Sequence, residues 1–133
     1  MKRYVVGFAF TEDHAHVVLI RKTRPVWQSG RFNGIGGKVE PGENFPEAMA
    51  REAREEAGLD LDWRHYATYF GPDYEMRIFV AISNTAAEAR TMTDEEVHIV
   101  AVSDVPNLPT IGNLRWFIPL ALDPHVKLVT ASE

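Results

Sequence analysis

The chain has 133 residues, 45% of them hydrophobic and 25% charged, with a formal net charge of −5 and no cysteine. That length suits one domain, residues 1–133, with its own core, and the missing thiols exclude disulfides and thiolate metal sites, which fits a reducing, cytoplasmic setting. The acidic balance leaves no basic stripe for a nucleic-acid duplex, although it does not exclude a nucleotide whose phosphates arrive with divalent cations.

Tyr4–Thr11 and His16–Arg21 are apolar, strand-like runs separated by Glu12-Asp13-His14, a pattern that predicts a β-hairpin. The first run is cut at a strand's length, so it reads as a strand rather than a signal peptide or membrane span. A loop follows from Lys22 to Gly30, and the glycine-rich Phe32–Val39 reads as short strands at the sheet edge. Asn44 is placed to cap a helix from Phe45, with Pro46 in its first turn and Glu47 three residues beyond the cap. Phe45, Met49, Ala53 and Ala57 recur every four residues as its apolar face, and Gly58 stops it. Leu61–Phe70 and Glu75–Ser83 predict two further strands around Gly71-Pro72-Asp73, and His98–Val102 another. Ala86–Glu96 is a polar segment with weak helical or loop character, and Leu114–Leu122 a second helix, kinked or restarted at Pro119. This order predicts an α+β or layered α/β/α arrangement.

Glu52, Glu55 and Glu56 lie three and four residues apart, so a helix brings all three to one side near its C-terminus. Like charges at that spacing repel by roughly 0.2–0.5 kcal/mol per exposed pair, and the helix dipole disfavours them there. A solvated acidic face braced by Arg51 and Arg54 is the plain alternative. The glycines at 34, 36, 37 and 42 argue instead for backbone running close to a ligand, and an all-oxygen site suits Mg²⁺ or Mn²⁺. The five histidines show no ligand spacing beyond the His14/His16 pair, which a plain hairpin explains. Gly36-Gly37-Lys38 is no Walker loop, since Phe32 stands where its first glycine belongs and Val39 where Ser or Thr belongs.

The stretch from Gly37 through Glu43 to Arg51-Glu52-Ala53-Arg54-Glu55-Glu56-Ala57-Gly58-Leu59 resembles the Nudix hydrolase signature. Every fixed polar and glycine position is filled, and Ala53 is a small version of its aliphatic position. The resemblance implies the Nudix fold, a mixed β-sheet sandwiched between helices. It also implies a metal site in which Glu52 and Glu56 lead, Glu55 joins a second ion and the Gly37 carbonyl contributes an oxygen. Glu52 or Glu55 takes the proton from the attacking water, and the sequence leaves that choice open. Glu43 and Arg51 are implied to tie loop to helix, and a further carboxylate is expected from Asp94-Glu95-Glu96, with Glu95 the choice.

Phe32-Asn33-Gly34-Ile35-Gly36-Gly37-Lys38-Val39-Glu40-Pro41-Gly42-Glu43 resembles the mutator-type branch, which cleaves nucleoside triphosphates, oxidised ones included, to monophosphate and pyrophosphate. That likeness implies that Asn33 reaches a base edge, with Asn113, Trp116 and Phe117 on the final helix around the base and Lys38 on a phosphate. Gly112 and Asn113 stand where oxidised-guanine enzymes carry acidic base-reading groups. A dinucleoside polyphosphate hydrolase, with Tyr66, Tyr69 and Tyr74 stacking a second base, is the alternative enzyme. A non-catalytic nucleotide-binding module is the alternative of another class. The expected partner is a small nucleotide, not a duplex or a membrane, and the chain is expected to be a monomer or homodimer.

Overall fold

The computed structural model describes every residue from Met1 to Glu133. Strands β1 (Lys2–Phe10), β2 (His16–Arg21), β3 (Phe32–Asn33) and β4 (Ile35–Lys38) precede helix α1 (Phe45–Ala57). β5 (Arg64–Phe70), β6 (Tyr74–Ile82) and β7 (Glu96–Ala101) follow, then helix α2 (Leu114–Leu122) and β8 (Val129–Ser132). One sheet has the order β3-β2-β1-β6-β5-β8, with β4 also paired to β1 and β7 to β2. It is mixed: β1 runs parallel to β6 from Lys2↔Tyr74 to Phe10↔Ile82, whereas β5 and β6 are antiparallel.

The continuous apolar run of β1 has a simple cause, because the strand is covered on both faces. Val6, Phe8 and Phe10 pack with Leu114, Phe117 and Ile118 of α2, while Val5 and Ala9 pack with Met49 and Ala53 of α1. At roughly 1.5–3 kcal/mol per buried large side chain, these two layers hold the helices to the sheet. Gly7 lets α1 come close, since a Cβ there would lie 2.7 Å from Met49 Sδ and 2.8 Å from Trp63 Cζ3.

Helix α1 forms where the spacing predicts it. Asn44 Oδ1 accepts from the Glu47 amide at 2.8 Å while Glu47 Oε1 accepts from the Asn44 amide at 2.9 Å, a closed capping box. At the other end Gly58 turns left-handed at φ 66°, and the amides of Gly58 and Leu59 donate to Arg54 and Ala53 carbonyls. This satisfies carbonyls that the helix end leaves free.

The structure departs from the sequence-based expectation in particular places. The β1–β2 hairpin forms, but its strands register only at Phe10↔Val17, because β4 takes the edge of β1 from Tyr4 to Gly7. β5 starts at Arg64 rather than Leu61. Val26–Gln28 forms a 3₁₀ turn inside the expected loop, Asn84–Glu88 a second that runs into the polar segment starting at Ala86, and Val102–Asn107 a third that begins at Val102, expected as the end of a strand. β8, parallel to β5, was not expected; its Val-Thr-Ala-Ser sequence carries a short, partly exposed pattern with little signal. Pro119 sits within α2 without ending it. No helix is long and apolar enough to cross a membrane.

Candidate functional site

Helix α1 lays its last two turns against β4, and the contact depends on a missing side chain. A Cβ on Gly37 would lie 2.6 Å from Glu52 Oε1, so any side chain there would displace the Glu52 carboxylate from its place. One turn on, Glu56 Oε1 accepts from the Gly36 amide at 2.9 Å. Glu52 and Glu56 thus face β4 together, while Glu55 turns to the flank with its side chain 57% exposed. The helical repeat accounts for this: at 100° per residue, position 56 lies about 40° from position 52, and position 55 about 60° on the other side.

Arg51 binds this group into one unit. Its guanidinium donates to Glu43 Oε2 at 2.7 Å and Oε1 at 3.1 Å, Glu52 at 2.9 Å, Glu55 at 3.1 Å, and the Lys38 carbonyl at 3.0 Å. The bidentate pair with Glu43 ties the loop before α1 to the helix, and the Lys38 contact ties both to β4. The Arg51 hydrogen bond holds the Glu43 carboxyl below its ordinary range, and Glu43 in turn raises Arg51.

The two inward carboxylates are destabilised as anions by burial. Burial pushes Glu56 up to about 8, against the Gly36 amide, and the negative charge on Glu52 adds to the effect. Burial also raises Glu52, in spite of Arg51 beside it. No three metal-ligating side chains converge in the arrangement as it lies, and Arg51 is the cation that Glu52 and Glu55 hold. The donor chemistry nevertheless fits a hard divalent ion: oxygen ligands only, two of them buried and destabilised as anions, over a glycine backbone.

Glu95 approaches from the loop before β7 and is 5% exposed. Its Oε1 accepts from Lys22 Nζ at 2.9 Å, and its Oε2 from the Thr23 amide at 2.6 Å and hydroxyl at 3.1 Å. Burial would raise this carboxyl, but the Thr23 amide and Lys22 hold it below its ordinary value. Lys22 and Glu95 both act on the charge of Glu56, which places the three in one electrostatic neighbourhood. Next to them Arg24 and Asp94 form a bidentate pair at 2.9 and 3.0 Å.

A cavity of about 560 Å³ opens on the same strand. Asn33, Lys38 and Asn113 line it, with Gly36 and Gly37 in its wall, so the polar residues expected at the base and phosphate come together there. Trp116 and Phe117 do not join them. Phe117 is core, its ring edge-on to Tyr69 and its carbonyl accepting from the Tyr66 hydroxyl at 2.7 Å. Trp116 is 49% exposed under the Arg115 guanidinium. Adjacent helical residues point about 100° apart, and here that turns Phe117 into the core and Trp116 to the surface. The wall is completed by residues the sequence did not single out, including Trp27, Gln28, Tyr4 and Met76. Their only sequence signal is local: Trp27 is the one aromatic in the loop from Lys22 to Gly30, just upstream of the glycine-rich strands.

Comparison with known proteins bears on the family and the fold. A family model described as NUDIX domain matches residues 1–120. Over 48 residues the chain is 42% identical to the oxidized purine nucleoside triphosphate hydrolase of Mus musculus, which covers 36% of this chain and 31% of that protein. Over 66 residues it is 35% identical to the CTP pyrophosphohydrolase of Escherichia coli, covering 50% of this chain and 49% of that protein. The curated relatives it first matches are thus spanned over only 30–49% of their length. Among solved structures, MutT from work on Aliivibrio salmonicida and Vibrio cholerae superposes with a TM-score of 0.77. The identity is 20%, covering 91% of this chain and 96% of that one, a likeness of fold.

Proposed function

The chain belongs to the NUDIX family, the Nudix hydrolases, and from that premise we propose that residues 1–133 act as one domain cleaving nucleoside triphosphates to monophosphate and pyrophosphate. The observation that carries the reading is shared backbone. Gly36 and Gly37 line the cavity, and the same two residues hold Glu56 and seat Glu52. A nucleotide in that cavity has its polyphosphate next to the buried carboxylates.

Glu52, Glu55 and Glu56, with the Gly37 carbonyl, are the residues to hold Mg²⁺ or Mn²⁺, and Glu95 is the additional carboxylate. When bound, such an ion supplies charge neutralisation for the polyphosphate and makes water at the site more acidic. The chain's own residues do the rest. Arg51 and Glu43 hold α1 against β4, Lys38 meets a phosphate from the cavity rim, and Glu52 or Glu55 receives the proton from the attacking water. Asn33 and Asn113 meet the base. Relatives that act on oxidised purine triphosphates and on CTP support a triphosphate as the substrate class.

The test is product analysis on a panel of ribo- and deoxyribonucleoside triphosphates, normal and oxidised, with magnesium and with excess chelator. Monophosphate and pyrophosphate formed only with the ion are expected; orthophosphate as the sole initial phosphate product refutes the bond cleaved, and full turnover in chelator refutes the metal. Lack of turnover on every nucleotide, with binding retained, favours a binding module. A second enzymatic reading has its own observation: Tyr74 lines the cavity and stacks with Tyr69 at 6.3 Å between centroids, a surface for the second base of a dinucleoside polyphosphate. Tyr66 does not share it, being buried. Including dinucleoside polyphosphates in the same panel decides between the two.

A further inference from the structure

Basic residues at the start of β1 gather around a second cavity. It measures about 400 Å³ and is lined by Met1, Lys2, Arg3, Lys38, Val39 and Pro41. Three of those six residues are cationic and none is acidic, a local reversal in a chain whose net charge is −5. The backbone fixes their spacing: Tyr4 pairs with Lys38 across β1 and β4, and the Val39 amide donates to the Arg3 carbonyl at 3.0 Å. The Arg3 guanidinium stands 5.6 Å from the centre of the Phe45 ring. Lys2 alone of the three meets a carboxylate, Asp73 at 3.8 Å, with both side chains exposed. The acid between Val39 and Pro41 does not line the cavity, since Glu40 turns to Arg51 at 3.7 Å. Like charges on adjoining positions of paired strands are unfavourable in the free protein, and an anion between them removes the cost.

Lys38 joins this cavity to the larger one, because it lines both. Its carbonyl accepts at 3.0 Å from Arg51, the residue that also holds Glu52. A phosphate chain that passes Gly36 and Gly37 and meets Lys38 therefore has Arg3 and Lys2 ahead of it. Resting on the reading of the larger cavity as a nucleotide site, we propose that the second cavity is a subsite for a phosphate tail, which extends the substrate class to nucleoside 5′-polyphosphates longer than the triphosphate. The lining decides the ligand's chemistry. Cations suit a phosphate chain, whereas Met1, Val39 and Pro41 offer no ring on which a second base could stack. With the bond between the α and β phosphates cleaved by water, a tetraphosphate yields monophosphate and tripolyphosphate.

The experiment has a binding arm, which needs no turnover, and a kinetic arm. In calorimetry of the full chain, inorganic tripolyphosphate should bind about tenfold tighter than pyrophosphate, the size of two exposed charge contacts. Lys2→Gln with Arg3→Gln should bring that ratio to about one, whereas Arg3→Lys alone should retain it. Arg115→Gln with Lys127→Gln removes as much charge outside both cavities and should leave the ratio at its wild-type value. With magnesium, kcat/KM for adenosine tetraphosphate should exceed that for ATP by about tenfold, and the preference should fall in the Lys2/Arg3 double variant. Diadenosine tetraphosphate should bind more weakly than adenosine tetraphosphate, since its tail ends in a neutral nucleoside; tighter binding would give the second cavity to a base and overturn the proposal. A wild-type tripolyphosphate ratio of one or below, a ratio unchanged by the Lys2/Arg3 variant, a ratio lost equally in the outside control, or absence of binding by both anions also overturns it. Triphosphate hydrolysis with no preference for chain length would overturn it and leave the hydrolase reading intact. Tripolyphosphate binding that depends on Lys2 and Arg3, without turnover of any nucleotide, would do the opposite.

Discussion

The two sides of β4 are built on different plans. Towards α1, Glu52, Glu55, Glu56 and Arg51 come from six consecutive residues of one helix, and Glu43 from the loop just before it. Towards the cavity, the wall is gathered from β1, the loop after β2, β3, β4, β6 and the segment leading into α2. The first plan encodes chemistry in spacing along the chain, where 3.6 residues per turn converts sequence offset into direction. The second encodes selectivity in tertiary structure, where no offset applies. A side chain on the α1 side should therefore act on rate, metal and local order, and one on the cavity side on which base is accepted.

Phe117 is the sharpest test of where the cavity side ends. Fully packed among Tyr69, Tyr66 and the β1 aromatics, it belongs to the core. Phe117→Ala should cost about 3–5 kcal/mol of stability by urea denaturation. Trp116→Ala, on the neighbouring exposed position, should change stability by less than about 0.5 kcal/mol. A mild Phe117 variant with altered base preference would move that residue back into the pocket and break the division drawn above.

On the α1 side, Glu56→Gln should keep the fold and the Gly36 hydrogen bond and lower kcat at least about a hundredfold, or about 2.7 kcal/mol. Glu47→Gln, which keeps a capping oxygen, should leave kcat near wild type. Two variants of equal activity would show that the buried carboxylate does not carry the rate.

The same carboxylate links stability to pH. An unfolded glutamate titrates near 4.5, but burial raises folded Glu56 to about 8, and Glu52 moves in the same direction. Between those values the folded state holds more protons than the unfolded one, so their contribution to stability declines as pH rises from about 5 to about 8. A divalent ion bound to the anionic carboxylates offsets that decline. At a hundredfold excess over its Kd the ion adds about 2.7 kcal/mol. Differential scanning calorimetry at about pH 8 should show Tm rising with magnesium and the rise absent in Glu56→Gln. Equal magnesium shifts in both proteins would place the ion elsewhere.

Arg51→Met removes the tie among Glu43, Glu52 and Lys38. With its side chain 20% exposed, the loss should be about 2 kcal/mol, read from urea midpoints. Base preference should not move, since Arg51 does not line the cavity.

How much was legible follows the same division. The bounds of α1, its cap and its stop could be read because Asn44, Glu47 and Gly58 each act within a few residues. α2 was legible too, but not the direction in which Trp116 and Phe117 point, which depends on how the helix lies on the sheet. The role of Gly37 as a seat for Glu52 was legible only as a crowding of glycines. β8 is hard to read from sequence because its pairing with β5 is made across a long separation and its apolar–polar alternation, Val129 to Ser132, lasts only four residues. Gln28 reads in the sequence as one loop residue among several, and only the fold around it reveals that its oxygen has no partner.

Asn33 carries the smallest expected effect and the finest discrimination between the two plans. Its side chain does two things: Oδ1 braces the Gly34 amide at the turn into β4, and Nδ2 is left for the cavity. Asn33→Ala removes both and should lower base discrimination in kcat/KM by about tenfold, with magnesium dependence unchanged. Asn33→Asp separates the two functions, since its carboxylate keeps the brace and loses the donor. If Asn33 reads the base, both variants lose discrimination alike. If it acts only by holding β4 in place for the carboxylates across the strand, Asn33→Asp should behave as wild type and Asn33→Ala should lose rate on every base equally. In that event Asn33 belongs with Gly36 and Gly37 to the support of the α1 side, and base selection passes to Asn113.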